Sequence, residues 1–254
     1  MRDLLQYRDL VTYLVGRELK VRYRRSTIGF AWTMLQPLMT MLVLQMVFSA
    51  IFRFEIYNYP VYALSGILFW SFFSQSIVTS MNSLRANAGL LTKLPVPKSV
   101  FPISTVIAGV INLLFALIPL FAILIVTGHP LRPSLMFLPV AILLAALFTL
   151  GAGLVLSPLA AFFTDVIELV GVGLTLTMYL TPIFYPIEII PESFRWVVRF
   201  NPLRSVLEVF RDPIYYGKIP PLTHLSVTVV VVLVSVVVGV LVFRRSSDRI
   251  AFYV

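Results

Sequence analysis

Apolar and polar positions alternate along this chain in long blocks. Six runs carry no charge at mid-depth: about 31–52, 60–80, 101–127, 135–163, 166–184 and 224–243. At about 1.5 Å per residue, a helix over the first run reaches across a ~30 Å hydrocarbon core. The pattern predicts an all-α polytopic membrane protein with six transmembrane helices. No period of 20–50 residues repeats, so 1–254 reads as a single transmembrane domain.

The polar flanks add shorter elements. Over 3–20, Leu4, Tyr7, Val11, Leu14 and Val15 recur at helical spacing, while Asp3, Gln6, Asp9, Thr12 and Arg17 fall elsewhere. An amphipathic helix with a basic end lies in the headgroup plane, which predicts an N-terminal interface helix; packing on another subunit is the alternative. Residues 83–94 suit a short helix stopped by Pro95 and Pro97. In the turn 164–168, Asp165 and Glu168 read as a capping box for the next helix, or as functional acids. Residues 185–223 hold six prolines, with two short helices predicted at 190–200 and 203–210 around an Asn201-Pro202 turn. Neither can span, so they read as re-entrant or interfacial helices before the last span. A short tail, 244–254, carries Arg244, Arg245 and Arg249.

Composition agrees. The chain is 59% hydrophobic and 12% charged, against about 25% charged in soluble domains. Its net charge of +9 would suggest nucleic acid in a soluble protein, but no basic cluster outside the membrane flanks is interleaved with stacking aromatics. With the N-terminus inside, thirteen Lys and Arg fall in cytoplasmic segments and seven outside, which favours cytoplasmic N- and C-termini. There are no cysteines, hence no disulfide and no thiolate metal site. The first 27 residues are too charged for a signal-peptide core, so the first span is expected to stay as an anchor.

Candidate chemistry is sparse. A charge at mid-membrane costs about 2.5–3.5 kcal/mol and is usually kept for ion or proton coupling. Its absence from the six runs argues against a proton- or sodium-coupled carrier. No G-x-x-x-x-G-K-[ST], H-E-x-x-H or G-x-S-x-G occurs, and His129 and His224 read as structural. No catalytic or metal site is expected. Uphill transport would need energy from a partner.

Residues 17–37 carry the most distinctive pattern. Arg17, Glu18, Leu19, Lys20, Arg22, Tyr23, Ser26, Gly29, Trp32 and Pro37 match R-E-L-K-x-R-Y-x-x-S-x-x-G-x-x-W-x-x-x-x-P. This resembles the N-terminal signature of ABC-transporter permeases that export polysaccharides, with O-antigen export permeases the closest likeness. Residues 81–98 are similar to that family's cytoplasmic coupling helix, and 179–204 to its re-entrant gate. The resemblance implies a homodimer in the bacterial inner membrane that works with two separate ATP-hydrolysing subunits. ATP and Mg would sit on those partners, and this chain would hold no cofactor. The implied substrate is undecaprenyl-pyrophosphate-linked polysaccharide.

Residue roles follow from the resemblance. Arg85, Asn87, Leu90, Leu91 and Lys93 would couple to the ATPase. Arg17, Lys20, Arg22, Arg24 and Arg25 would recruit the lipid pyrophosphate, since guanidinium forks suit phosphate oxygens, or would only anchor topology. Trp32, Phe73, Tyr179, Phe184, Tyr185, Trp196, Asn201 and Pro202 would line the channel or gate, with membrane belt or core as the alternative for the aromatics. Capsule, teichoic-acid and drug or small-lipid permeases share much of this pattern. A passive channel subunit is the reading from another class.

Overall fold

The structure is a computed structural model that describes residues 7–23, 29–48, 56–91 and 96–250. Among them every regular element is helical. Helix α1 (Arg8–Tyr23) is followed by α2 (Trp32–Val47), α3 (Tyr59–Ala86) and a single turn, α4 (Ala88–Leu91). Then come α5 (Val100–Val126), α6 (Leu138–Phe162) and α7 (Asp165–Leu180). Two short helices, α8 (Arg195–Arg199) and α9 (Pro202–Arg211), precede the long α10 (Leu222–Ile250).

Among the described residues, four helices are long and apolar enough to cross a membrane: α3, α5, α6 with its leading 3-10 turn, and α10. Helices α2 and α7 have 16 residues each, about 24 Å at 1.5 Å per residue, short of a ~30 Å core. Thus length supports four of the six expected crossings. Helix α7 stops at Leu180, four residues short of the expected end. Pro182 disfavours helical backbone at Thr181, which is extended (ψ 134°).

Helix α3 is the hub. It packs against α2, α5, α6, α7 and α9, and most of its side chains are buried. The broadest helix–helix contact joins α6 to α10. In lipid such contacts depend on close approach rather than hydrophobic expulsion. Here Gly151 meets Gly239: a Cβ on Gly239 would lie 2.4 Å from the Gly151 carbonyl oxygen. Ser235 Oγ seals the crossing by donating to the Phe148 carbonyl (3.1 Å). On the outside, Val227, Val230, Leu233, Val237 and Leu241 of α10 stay exposed, an apolar surface suited to lipid.

Local signals explain the ends. Gly128 takes φ +64° after α5; its N–H returns to Ile125 and that of His129 to Leu124, a Schellman stop. Helix α9 starts on Asn201, whose side-chain oxygen accepts from the Leu203 N–H (3.0 Å), with Pro202 in its first turn. Leu14, Leu84, Phe101, Phe243 and Ile250 form a separate cluster at one end of the bundle, here called the basal end. Tyr7 packs on it too, so α1 and the end of α10 share that side.

Three sequence expectations need correction. Residues 83–94 are not one helix: Ser83 to Ala86 finish α3, Asn87 leaves helical geometry (φ −117°), and only α4 follows among the described residues. Asn87 Nδ2 donates to the Ser83 carbonyl (2.7 Å), a local bond that competes with helix continuation. The capping box is absent: Thr164 is the N-cap, without a side-chain cap bond, and Asp165 and Glu168 sit in the first turn, where they complement the helix dipole. Arg244, Arg245 and Arg249 lie within α10 rather than in a tail, because Phe243 and Ile250 bury that end in the basal cluster.

Candidate functional site

At the basal end, the break after α3 gathers three helices. Arg17 on α1 donates from Nη2 to Asn87 Oδ1 (2.5 Å). Arg85 reaches the Ala161 carbonyl at the end of α6 (3.2 Å). Leu90 and Leu91, half-buried on α4, pack against the basal cluster. Arg17, Glu18, Asn82, Ser83 and Asn87 line a cleft of about 220 Å³ between α1, α3 and α5. Lys20 is exposed on the next turn of α1. The structure therefore joins one expected lipid-binding residue to one expected coupling residue. Arg22 is in α1, but its side chain lies outside the described atoms, and Arg24, Arg25 and Lys93 lie outside the described residues.

The opposite end is built around 181–221. Tyr62 of α3 donates to the Tyr185 carbonyl (2.9 Å), and Tyr59 to the Phe184 carbonyl (3.2 Å). Tyr185 donates in turn to the Tyr179 carbonyl. Asn201 Nδ2 donates to Thr181 Oγ1 (2.8 Å), tying the start of α9 to the end of α7. Of the aromatics expected along a channel, Tyr179 and Trp196 are exposed, and Phe184 and Tyr185 are half-buried. Trp32 is exposed at the start of α2. Phe73 stacks on Phe148 (5.8 Å between centroids) and faces the core.

Sequence reasoning missed the residue that organises this end. Arg211 is only 3% exposed. Its guanidinium donates to the Pro182 carbonyl (2.8 Å), the Ile183 carbonyl (2.7 Å) and Ser65 Oγ (3.3 Å), and lies 4.0 Å from the Tyr62 ring centroid. A planar fork can meet two successive carbonyls and stack on a ring at once, which an ammonium cannot. Gly66 makes the room: a Cβ there would lie 2.3 Å from Arg211 Nη2. The signal was present, since Leu203, Leu207 and Arg211 recur every four residues, placing the charge on the apolar stripe of α9. Beside it, Asp212 is buried in a π-helical turn (Asp212–Tyr216), with Lys218 Nζ 3.6 Å from its carboxylate. Burial pushes the Asp212 carboxyl up, and Lys218 pulls it part of the way back.

His129 is structural, as expected. It is buried, pairs with Asn58 and the Tyr215 carbonyl, and stacks on Tyr215.

The sequence profile of the ABC-2 type transporter family matches residues 9–215, from α1 through the turn after α9. The chain belongs to the ABC-2 type transporter family. This ABC-2 chain is 31% identical over 246 residues to the O-antigen export system permease protein RfbA of Klebsiella pneumoniae, covering 96% of this chain and 94% of that one. It is 35% identical over 239 residues to RfbA of Myxococcus xanthus, covering 92% of each. It is 24% identical over 245 residues to the polysialic acid transport protein KpsM of Escherichia coli, covering 94% and 93%. These ABC-2 relatives carry the names of transport proteins rather than catalysts.

Proposed function

We propose that this chain is the membrane-spanning subunit of an ATP-driven exporter that moves lipid-linked polysaccharide, of the O-antigen kind, across a bacterial inner membrane. The observation that carries the reading is identity of 31–35% to O-antigen export permeases over more than nine-tenths of both chains. In this reading α2 and α7 complete six crossings, both termini are cytoplasmic, and the basal end faces the cytoplasm. Two ATP-binding-cassette subunits bind there and supply ATP and Mg; this chain contributes no cofactor and no catalytic residue.

The geometry supports a mechanism. Leu90 and Leu91 rest on the cluster that also holds Leu14 and Leu84, so a push on α4 is delivered to α1 and α3 together. Arg17 would hold the lipid pyrophosphate at the same junction, with the exposed Lys20 adding charge. At the far end, Arg211 fixes the turn after α7 to α3, which makes α7 and 181–211 one gate. A second copy is needed to enclose a glycan path. Helix α7 buries no residue, and Leu169, Val172, Leu176 and Tyr179 remain exposed, as do Met39, Val43 and Met46 on α2.

The test is reconstitution with an ATP-binding-cassette partner in vesicles loaded with a polyprenyl-pyrophosphate-linked glycan. Transport that requires ATP is expected. Flux without ATP would instead support a passive channel. The weaker likeness to a polysialic acid transport protein favours capsule-type glycans as the second reading; exchanging the glycan in the same assay separates the two.

A further inference from the structure

A second cleft, of about 260 Å³, lies between α2, α3 and α5 in the basal half of the bundle. Its walls set polar side chains among apolar ones, in helices that are otherwise apolar. Gln36 comes from α2, Gln75 and Ser76 from α3, and Thr105 and Asn112 from α5; none of its lining residues is charged. Trp32 and Phe72 add aromatic surface. The volume is near the lower limit for small-molecule sites and suits one ring rather than a chain.

Ser76 is the buried polar residue of this cleft that stands out. It is 3% exposed, and its hydroxyl has no hydrogen-bond partner among the described residues. Neighbouring hydroxyls on α3 return to the backbone, as Ser74 does to Trp70 and Thr79 to Gln75. An orphaned buried hydroxyl is costly and calls for an explanation. Gly109 faces it from α5: a Cβ there would lie 2.2 Å from Ser76 Oγ. Glycine therefore gives this hydroxyl its seat against α5, at the edge of the cleft.

Uncharged donors and acceptors beside an aromatic face match a neutral, polyhydroxylated ring. They do not match an anion. The adjoining cleft offers the guanidinium of Arg17 to phosphate oxygens, with Glu18 also in its wall, and the two clefts share Thr79 and Thr105. A molecule with a sugar attached next to a phosphate can occupy both.

We propose that the α2–α3–α5 cleft is a subsite for the sugar ring nearest the lipid phosphate, held by Ser76, Gln75 and Asn112 while the phosphate stays at Arg17. The proposal rests on the export function above and adds recognition of the first sugar within the membrane.

The chain has no cysteine, so Ser71→Cys places its one thiol on the cleft wall. In the full permease–ATPase complex in lipid nanodiscs, polyprenyl-pyrophosphoryl glucose should slow alkylation of that thiol at least fivefold relative to polyprenyl pyrophosphate. Asn112→Leu should abolish the difference while leaving polyprenyl pyrophosphate affinity within twofold. Thr33→Cys, on the α2 wall of the same cleft, serves as the second probe if the first variant does not fold. Equal protection by the two lipids overturns the proposal. Equal protection by octyl glucoside also overturns it, because the cleft would then read any glycolipid headgroup without the phosphate. Export is measured on the same complex: lost export in the unsubstituted protein sinks the proposed function, whereas intact export without sugar-dependent protection sinks the subsite alone.

Discussion

Arg17 on α1 donates to the side-chain oxygen of Asn87, 70 residues later, at the break that ends α3. The bond fastens the basic helix to the turn expected to meet the ATPase. A charged donor to a neutral acceptor contributes about 1.5–3 kcal/mol when well enclosed, and this pair is part-buried.

Arg17→Gln and Asn87→Ala should therefore be non-additive. Each alone is expected to cut substrate-stimulated ATP hydrolysis of the complex several-fold, and the double variant should be no worse than the weaker single. A double-mutant cycle reads this directly, with a coupling of about 1 kcal/mol expected for residues in contact. Additive losses would mean that the two residues act separately.

Arg211→Lys should loosen the far end. Lysine cannot serve two carbonyls and a ring at once, and each orphaned buried carbonyl costs about 1–3 kcal/mol. A clear fall in melting temperature in detergent is expected. Gly66→Ala should reproduce most of it, since the new methyl group takes the guanidinium's place. Wild-type stability in Gly66→Ala would show that Arg211 has another way to seat.

Two further glycines separate packing within the protomer from assembly. Gly239→Ala forces a Cβ to 2.4 Å from the Gly151 carbonyl and should cost about 1–3 kcal/mol through strain at the α6–α10 crossing. Gly171 on α7 has nothing within 4 Å of an added Cβ. Gly171→Ala should leave the isolated protomer unchanged or gain up to about 1 kcal/mol from helix propensity. Gly171→Leu should weaken the proposed dimer, read as a monomer shift by light scattering. An undisturbed dimer would place the interface elsewhere.

Asp212 makes stability pH-dependent in a definite direction. Its carboxyl is raised in the folded protein, chiefly by burial. The folded state therefore holds this proton to a higher pH than the unfolded state does, and stability falls as pH rises from the ordinary carboxylate range through the raised value. Asp212→Asn should raise the melting temperature at neutral pH, and the gain should vanish at acid pH. A gain independent of pH would point to packing instead.

The apolar blocks located every long helix, because a run compatible with hydrocarbon has few other ways to satisfy its backbone. The periodicity of Tyr7, Val11, Leu14 and Val15 marked the apolar face of α1 but assigned it to the headgroup plane, whereas in the fold that face packs on the basal cluster. Ends were harder to read. Asn87 stops α3 through a side-chain bond to Ser83, and no composition rule separates that from the prolines that follow. Motifs singled out Arg17 and Asn87, which the fold brings together, but not the residues whose place depends on contact alone. Arg211 looked like one more charge in a polar segment, whereas its meaning comes from carbonyls 28 and 29 residues earlier. Ser76 was one serine among many until α5 closed over it with Gly109.

Helix α10 is held at three heights: Thr228 bonds to the Ser205 carbonyl (3.2 Å), Gly239 crosses Gly151, and Ile250 is fully buried in the basal cluster. These contacts fix the rotation of the rod about its own axis at each level. One inserted residue would turn everything beyond it by about 100°, so α10 keeps the two ends of the bundle in phase. A change in the facing of α10 at the basal end would have to be matched at the Gly239 crossing and again beside α9.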